Sequence, residues 1–272
     1  MNILFCGDAR AEVGITLASL ALVHQVHRPL HVYLLTARIA GFSPLSEAAS
    51  ARLAALLARF DPAHTVTLID ATPQFEAAPP TANLATRFTP YCMLRLYADL
   101  LPLPDRLLYL DFDVLSVKDP TAYYDQDLQG VEVVGTLDHY GRWFFRHGWR
   151  LSYLNSGVLL LNLAEIRRTG LFARCRHALA TKRYFMPDQS VLNRLATHVR
   201  IAPRWANDQH GPHPDTVFAH YSTRLHLWPW FHPVTVKPWN VAAMHETLHD
   251  HSQDELLDEF AALTNFTKEG LS

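Results

Sequence analysis

The first seventy residues alternate between short continuous apolar runs and longer stretches in which apolar residues recur at helical spacing. Asn2–Cys6 (NILFC) is such a run and stops at the turn signal Gly7-Asp8. Glu12–Val26 carries apolar residues at Val13, Leu17, Leu20, Val23 and Val26, which predicts a helix. His31–Leu35 reads as a second strand and Val66–Ile69 as a third. Between them Ser46–Phe60 reads as a helix with Ser46 placed to cap it. Strands that alternate with helices predict a mostly parallel sheet, because right-handed crossovers return each strand beside the last. The expected architecture is a single α/β domain with a mixed, mostly parallel sheet flanked by helices. Ligands of such sheets gather at the carboxyl ends of the strands, where Asp8 and Asp111–Asp113 fall.

The pattern continues less regularly. Ala71–Thr81, rich in Pro and Ala, reads as a loop. Thr86–Leu101 reads as a helix that carries Arg95 and is closed by Pro102. Arg106–Leu115 (RLLYLDFDVL) and Val131–Leu137 read as strands. Leu151–Leu163 reads as a buried strand interrupted at Asn155-Ser156-Gly157, where a small residue lets backbone approach a ligand. Glu165–Ala180, Asp188–Ala196 and Asp254–Leu263 read as helices. The division expected is a catalytic domain over residues 1–240 and a helical tail over 241–272. Two aromatic stretches, Asp138–Arg150 and Trp228–Trp239, have the composition of either a sugar-stacking acceptor surface or packed corners. The second could equally touch a membrane.

Asp111 and Asp113 are the first candidates for chemistry. On a strand, side chains two apart share a face, so both carboxylates could reach one hard divalent cation together with the oxygens of a pyrophosphate. A phosphatase of the haloacid dehalogenase type also places D-x-D after an apolar strand, but its later Lys and acidic pair have no counterpart after Val114. His245-Glu246-Thr247-Leu248-His249 spells the H-E-x-x-H of zinc peptidases, and its lack of a well-placed third ligand favours a solvated helix face.

Composition narrows the partners. Apolar residues make up 49% and charged residues 18% of 272, with a net charge of −2. This is ordinary for a globular protein and carries no electrostatic footprint for nucleic acid. Cys6, Cys92 and Cys175 are odd in number and far apart, which suits a reducing compartment. Neither a leader nor a spanning segment is read, so a cytoplasmic protein is expected, with peripheral attachment at the inner face of a membrane left open.

Six motifs in order carry a resemblance. They are ILFCGD, the Arg95 segment ending in LLP, LLYLDFDVL, YLNSGVLLLNL, MPDQSVLN, and HYS followed by KPW. Together they resemble glycosyltransferase family 8, which includes glycogenin and the bacterial lipopolysaccharide galactosyl- and glucosyltransferases. The resemblance implies a glycosyltransferase-A-type fold. It also implies retaining transfer of glucose or galactose from a UDP-sugar donor to a hydroxyl of a glycan or lipid-linked glycan acceptor, in lipopolysaccharide or surface polysaccharide synthesis. It assigns metal binding to Asp111, Asp113 and His220, with Mn²⁺ as cofactor and Mg²⁺ as substitute; an imidazole ligand favours the former. It places Asp8 near the uracil and Arg95, Asp111, Phe112, Asn155 and Lys237 against the donor, with Asp188 and Gln189 near the anomeric carbon. One departure is the stretch 221–236 between His220 and Lys237, where the family is compact, so that Arg224 is a second candidate for the diphosphate. A nucleotide-sugar-binding protein without turnover is the alternative from another class.

Overall fold

The computed structural model describes residues 1–86, 88–141, 153–226, 232–264 and 266. Residues 142–152, within one aromatic stretch and the start of the Leu151–Leu163 strand, lie outside it. So do residues 227–231 of the other stretch. A seven-stranded sheet runs in the order β3 (Thr65–Asp70), β2 (His31–Thr36), β1 (Asn2–Cys6), β4 (Arg106–Leu110), β7 (Leu154–Asn162), β6 (Val133–Leu137), β8 (Val199–Ala202). Strands β1 to β4 pair in parallel, β7 runs antiparallel to both of its neighbours, and β6 pairs in parallel with β8.

The central strands are apolar on both faces because both faces are covered. Ile3 and Phe5 of β1, with Leu108 and Leu110 of β4 and Val158 and Leu160 of β7, enter one core. Leu4 and Cys6, Leu107 and Tyr109, and Leu159 and Leu161 enter the other. Helix α1 (Glu12–Gln25) is buried without break from Gly14 to Leu22, so its apolar residues need not keep to one stripe. Helix α2 (Glu47–Leu57) starts as expected, with Ser46 Oγ accepting the Ala49 amide at 3.1 Å. The C-terminal helix Asp254–Leu263 has the predicted bounds and sends Leu257 and Phe260 into the core that α1 occupies.

Several expectations change. Ala71–Thr81 is not all loop: Thr72–Ala77 is a helix, started by Pro73 in its first turn and anchored by buried Phe75. The Arg95 segment is a run of 3₁₀ turns over Pro90–Leu100. Glu165–Ala180 is two helices, Leu163–Thr169 and Leu171–Thr181, parted by Gly170 at φ +66°. Arg106–Leu115 is not one strand. β4 ends at Leu110, the Val114 amide bonds the Asp111 carbonyl at 3.1 Å to make a turn, and β5 (Val114–Ser116) leaves the sheet to pair with β9 (Phe218–His220). Asn155-Ser156-Gly157 does not interrupt its strand but lies within β7, where the Gly157 carbonyl takes the Asp111 amide at 2.8 Å. No helix among the described residues is long and apolar enough to cross a membrane, and all three cysteines are free.

Candidate active site

The turn after β4 and the end of β9 bring Asp111, Asp113 and His220 together. Register does this: Val114 lies opposite His220 in the β5–β9 pair, and the Tyr221 amide donates to the Asp113 carbonyl at 3.0 Å. One ligand atom from each of the three side chains lies within 4.8 Å of the others. It is this turn, not strand alternation, that makes the two carboxylates converge. Gly157 supplies the room, since a Cβ there would stand 2.2 Å from His220 Cε1.

Hydrogen bonds fix the histidine's tautomer. The Gly157 amide, which can only donate, meets Asn155 Oδ1 at 2.9 Å, so the Asn207 group that meets the same oxygen at 2.9 Å is its NH₂. Asn207 Oδ1 therefore faces His220 Nδ1 at 3.0 Å and accepts its proton. Nε2 is the nitrogen turned to the carboxylates, 3.5 Å from Asp113 Oδ1, and the one that would ligate a metal. A metal-ligating histidine needs this arrangement.

On the sheet side the network continues. Asn155 Nδ2 and Gln189 Nε2 both donate to Asp138 Oδ2, at 2.9 and 3.0 Å. Ser156 Oγ donates to Asp188 Oδ2 at 3.1 Å. Arg95 is buried with its plane 3.8 Å from the Tyr109 ring centre. It donates to Asp111 Oδ1 at 3.1 Å and to the Ser156 carbonyl, and lies 3.2 Å from Asp188 Oδ2. Burial pushes the Tyr109 phenol well above its ordinary value, so it stays protonated and donates to Asp111 Oδ1 at 2.5 Å. Burial also pushes the Cys6 thiol up to about 12 and that of Cys92 well above its ordinary value, so neither offers a thiolate.

On the other side Lys237 donates to Asp113 Oδ2. The stretch that separates His220 from Lys237 is looped out through the hairpin of β10 (Arg224–His226) and β11 (His232–Val234), which lets the lysine return to the site. Burial works to raise the Asp113 carboxyl, but Lys237 and then His220 outweigh it and hold the acid well below the usual carboxylate range. Arg224, the second candidate for the diphosphate, has its Nη2 3.5 Å from where a Cβ of Gly211 would be.

Of the residues singled out in the sequence, Arg95, Asp111, Asp113, Asn155, Asp188, Gln189, His220 and Lys237 thus form one connected cluster. Phe112 packs against Trp239 with ring centres 5.9 Å apart and planes tilted by 32°. Asp8 stands apart, beyond the end of β1, with Arg10 Nε on its carboxylate at 2.9 Å. Tyr109, Asp138, Ser156 and Asn207 were not anticipated. Asp138 was findable, being a carboxylate at the end of a strand; Asn207, in a polar stretch without periodicity, gave no signal. The H-E-x-x-H segment presents no pair of histidines on one helix face, because the helix Val241–Leu248 ends before His249, whose φ is +52°.

Comparison with known proteins bears on the fold and the family. Over its full length the chain is similar to a crystallised active-site mutant of LgtC, at 21% identity, with all of both chains covered and a TM-score of 0.73. A structure of the galactosyltransferase LgtC in complex with donor and acceptor sugar analogs aligns at 22% identity, covering 99% of this chain and 98% of that one, with a TM-score of 0.69. The glycosyltransferase GlyE of Streptococcus pneumoniae aligns at 19% identity over 96% of this chain and 64% of that one, with a TM-score of 0.60. No curated protein sequence matches. These likenesses establish the fold, and the profile of Glycosyl transferase family 8 matches residues 24–207, more than half of the chain. The protein belongs to glycosyltransferase family 8.

Proposed function

We propose that the protein is a retaining, metal-dependent hexosyltransferase that moves glucose or galactose from a UDP-sugar to a hydroxyl of a glycan acceptor. Its setting would be the synthesis of lipopolysaccharide or another surface polysaccharide, in the cytoplasm at the inner face of the membrane. On this reading residues 1–240 are the catalytic unit and 241–272 a helical addition. The observation that carries it is the convergence of Asp111, Asp113 and His220 between a lysine on one side and the buried Asp188–Gln189 pair on the other. Family membership supports the transferase class, and the relative crystallised with donor and acceptor sugar analogs supports both kinds of ligand.

Two carboxylates and an imidazole with a free Nε2 lone pair are a donor set suited to Mn²⁺, with Mg²⁺ the weaker fit. A bound ion would neutralise charge on the departing diphosphate. Lys237 adds fixed positive charge where that charge develops. Arg95, held by two carboxylates, fixes Asp188 for the sugar hydroxyls. Gln189, its amide oriented by Ser156 and Asp138, sets an oxygen against the oxocarbenium-like carbon. A carboxamide is a poor nucleophile, so the acceptor hydroxyl attacks on the face the diphosphate leaves and gives its proton to a phosphate oxygen. Asp8 meets the uracil.

The test is calorimetric titration of UDP with Mn²⁺ and with EDTA, on the wild type and on Asp113→Asn. Binding that needs Mn²⁺ and is lost in the variant is the expected result. UDP binding that ignores both Mn²⁺ and the substitution would overturn the assignment.

A further inference from the structure

Among the described residues a second group of nitrogen and carboxylate ligands converges, far along the chain from the first. The helix Val241–Leu248 ends at left-handed His249, the chain doubles back, and the helix Asp254–Leu263 begins. This turn folds His251 onto His245, with ring centres 4.0 Å apart and planes 27° from parallel. Both rings face one carboxylate, His245 Nε2 at 2.7 Å from Asp254 Oδ1 and His251 Nδ1 at 3.1 Å from Asp254 Oδ2. The H-E-x-x-H segment has therefore exchanged its second histidine for a different one and gained an acid.

We propose that His245, His251 and Asp254 form a second metal centre, selective for Zn²⁺, that ties the two C-terminal helices together. Zinc bound to imidazole and carboxylate at about 2.0–2.2 Å in a tetrahedron needs donor atoms roughly 3.3 Å apart. One ligand atom from each residue lies within 4.8 Å of the others, and the two rings meet different oxygens of the one carboxylate, His245 Nε2 at 2.7 Å from Oδ1 and His251 Nδ1 at 3.1 Å from Oδ2. Small ring rotations suffice. A single divalent ion would use all three groups at once. The partial exposure of all three leaves a fourth position for water. The two centres differ in chemistry: the first is rich in oxygen and suits Mn²⁺, while the second offers two nitrogens and one oxygen and suits Zn²⁺.

The experiment counts Zn²⁺ equivalents bound by the full chain, by competition with a chromophoric chelator. The wild type should bind two, Asp113→Asn one, His251→Ala one, and His249→Ala two. His251 is exposed, so its removal does not disturb the core. Equal counts in the wild type and His251→Ala would overturn the second centre, whatever Asp113→Asn does. Loss of one equivalent in Asp113→Asn tests the first centre separately. As a further readout, Zn²⁺ should raise the melting temperature of Asp113→Asn and leave that of Asp113→Asn with His251→Ala unmoved.

Discussion

The two flanks of the active site are built differently. The sheet flank comes from the ends of β4, β6 and β7 and the helix Pro187–Leu195. There Arg95 is 3% exposed and every polar side chain is held by at least one other. The hairpin flank comes from β9 and the segment after β11, and its lysine is 32% exposed with a single carboxylate as partner. The sheet flank is preorganised at the cost of burying charge. The hairpin flank can adjust. Where a donor must be held rigidly at its sugar and released at its diphosphate, this division of stiffness has a function.

The sharpest way to break the comparison is to remove one cation from each flank. Arg95→Leu leaves buried Asp188 and half-buried Asp111 without their counter-ion and should cost about 3–5 kcal/mol of stability. Lys237→Leu also takes the main cation from buried Asp113, but on a side that water reaches, and should cost about 2 kcal/mol while still abolishing transfer. Urea denaturation of the two variants measures this, and equal losses would mean that the flanks are equally rigid.

Next in size is the seam between the flanks. Gly157→Ala puts a methyl group 2.2 Å from His220 Cε1, against a strand that cannot retreat. Displacing the imidazole should weaken Mn²⁺-dependent UDP binding about 100-fold, measured by calorimetry, with the circular dichroism spectrum unchanged. Asn207 acts on the same ring from behind. Asn207→Leu should cost about 10-fold in Mn²⁺ affinity and lose the Nδ1-protonated tautomer, read from the ¹⁵N shifts of His220. Asn207→Asp keeps an acceptor at Nδ1 and should keep the tautomer. The same loss of tautomer in both variants would reduce Asn207 to packing.

The flanks also differ in how far the sequence reveals them. Strands β1 to β3 and the two helices between them follow local periodicity, so their type and most of their bounds are legible, and Asp8 and Asp111 stand out as carboxylates at strand ends. The carboxylates of the D-x-D converge, but strand alternation is not the reason: the turn at Asp111–Asp113 goes with the pairing of β5 with β9, more than one hundred residues away. Such pairings leave no local signature. The hairpin β10–β11 was invisible for the same reason, although it explains how Lys237 reaches the site despite its distance from His220. Asn207 and Gly157 act through contacts alone. What a residue must touch is decided by the whole fold, and the spacing of one segment does not contain it.

The smallest expected effect lies where the two flanks meet, in the loop that follows Asn207. His210 packs on His139 with ring centres 3.7 Å apart and on Tyr140 at 5.4 Å, and its Nε2 finds no hydrogen-bond partner among the described residues. Burial, with His139 and Arg224 nearby, lowers its pKa to about 4 from an ordinary 6.5. The unfolded chain therefore takes up this proton first. The contribution to stability is complete above pH 6.5 and is lost as the pH falls from 6.5 toward 4. For a half-buried ring the loss should be about 1 kcal/mol. Melting curves of the wild type and His210→Phe at pH 7 and pH 5 isolate it, because the other histidines titrate in both proteins. The variant should lose less stability on acidification than the wild type, and the two should converge as the pH falls. If both fall in parallel, the ring is solvated and the junction between the flanks is looser than its packing implies. A rigid junction would carry the register of the sheet flank to His220, and a loose one would leave that register to β5 and β9 alone.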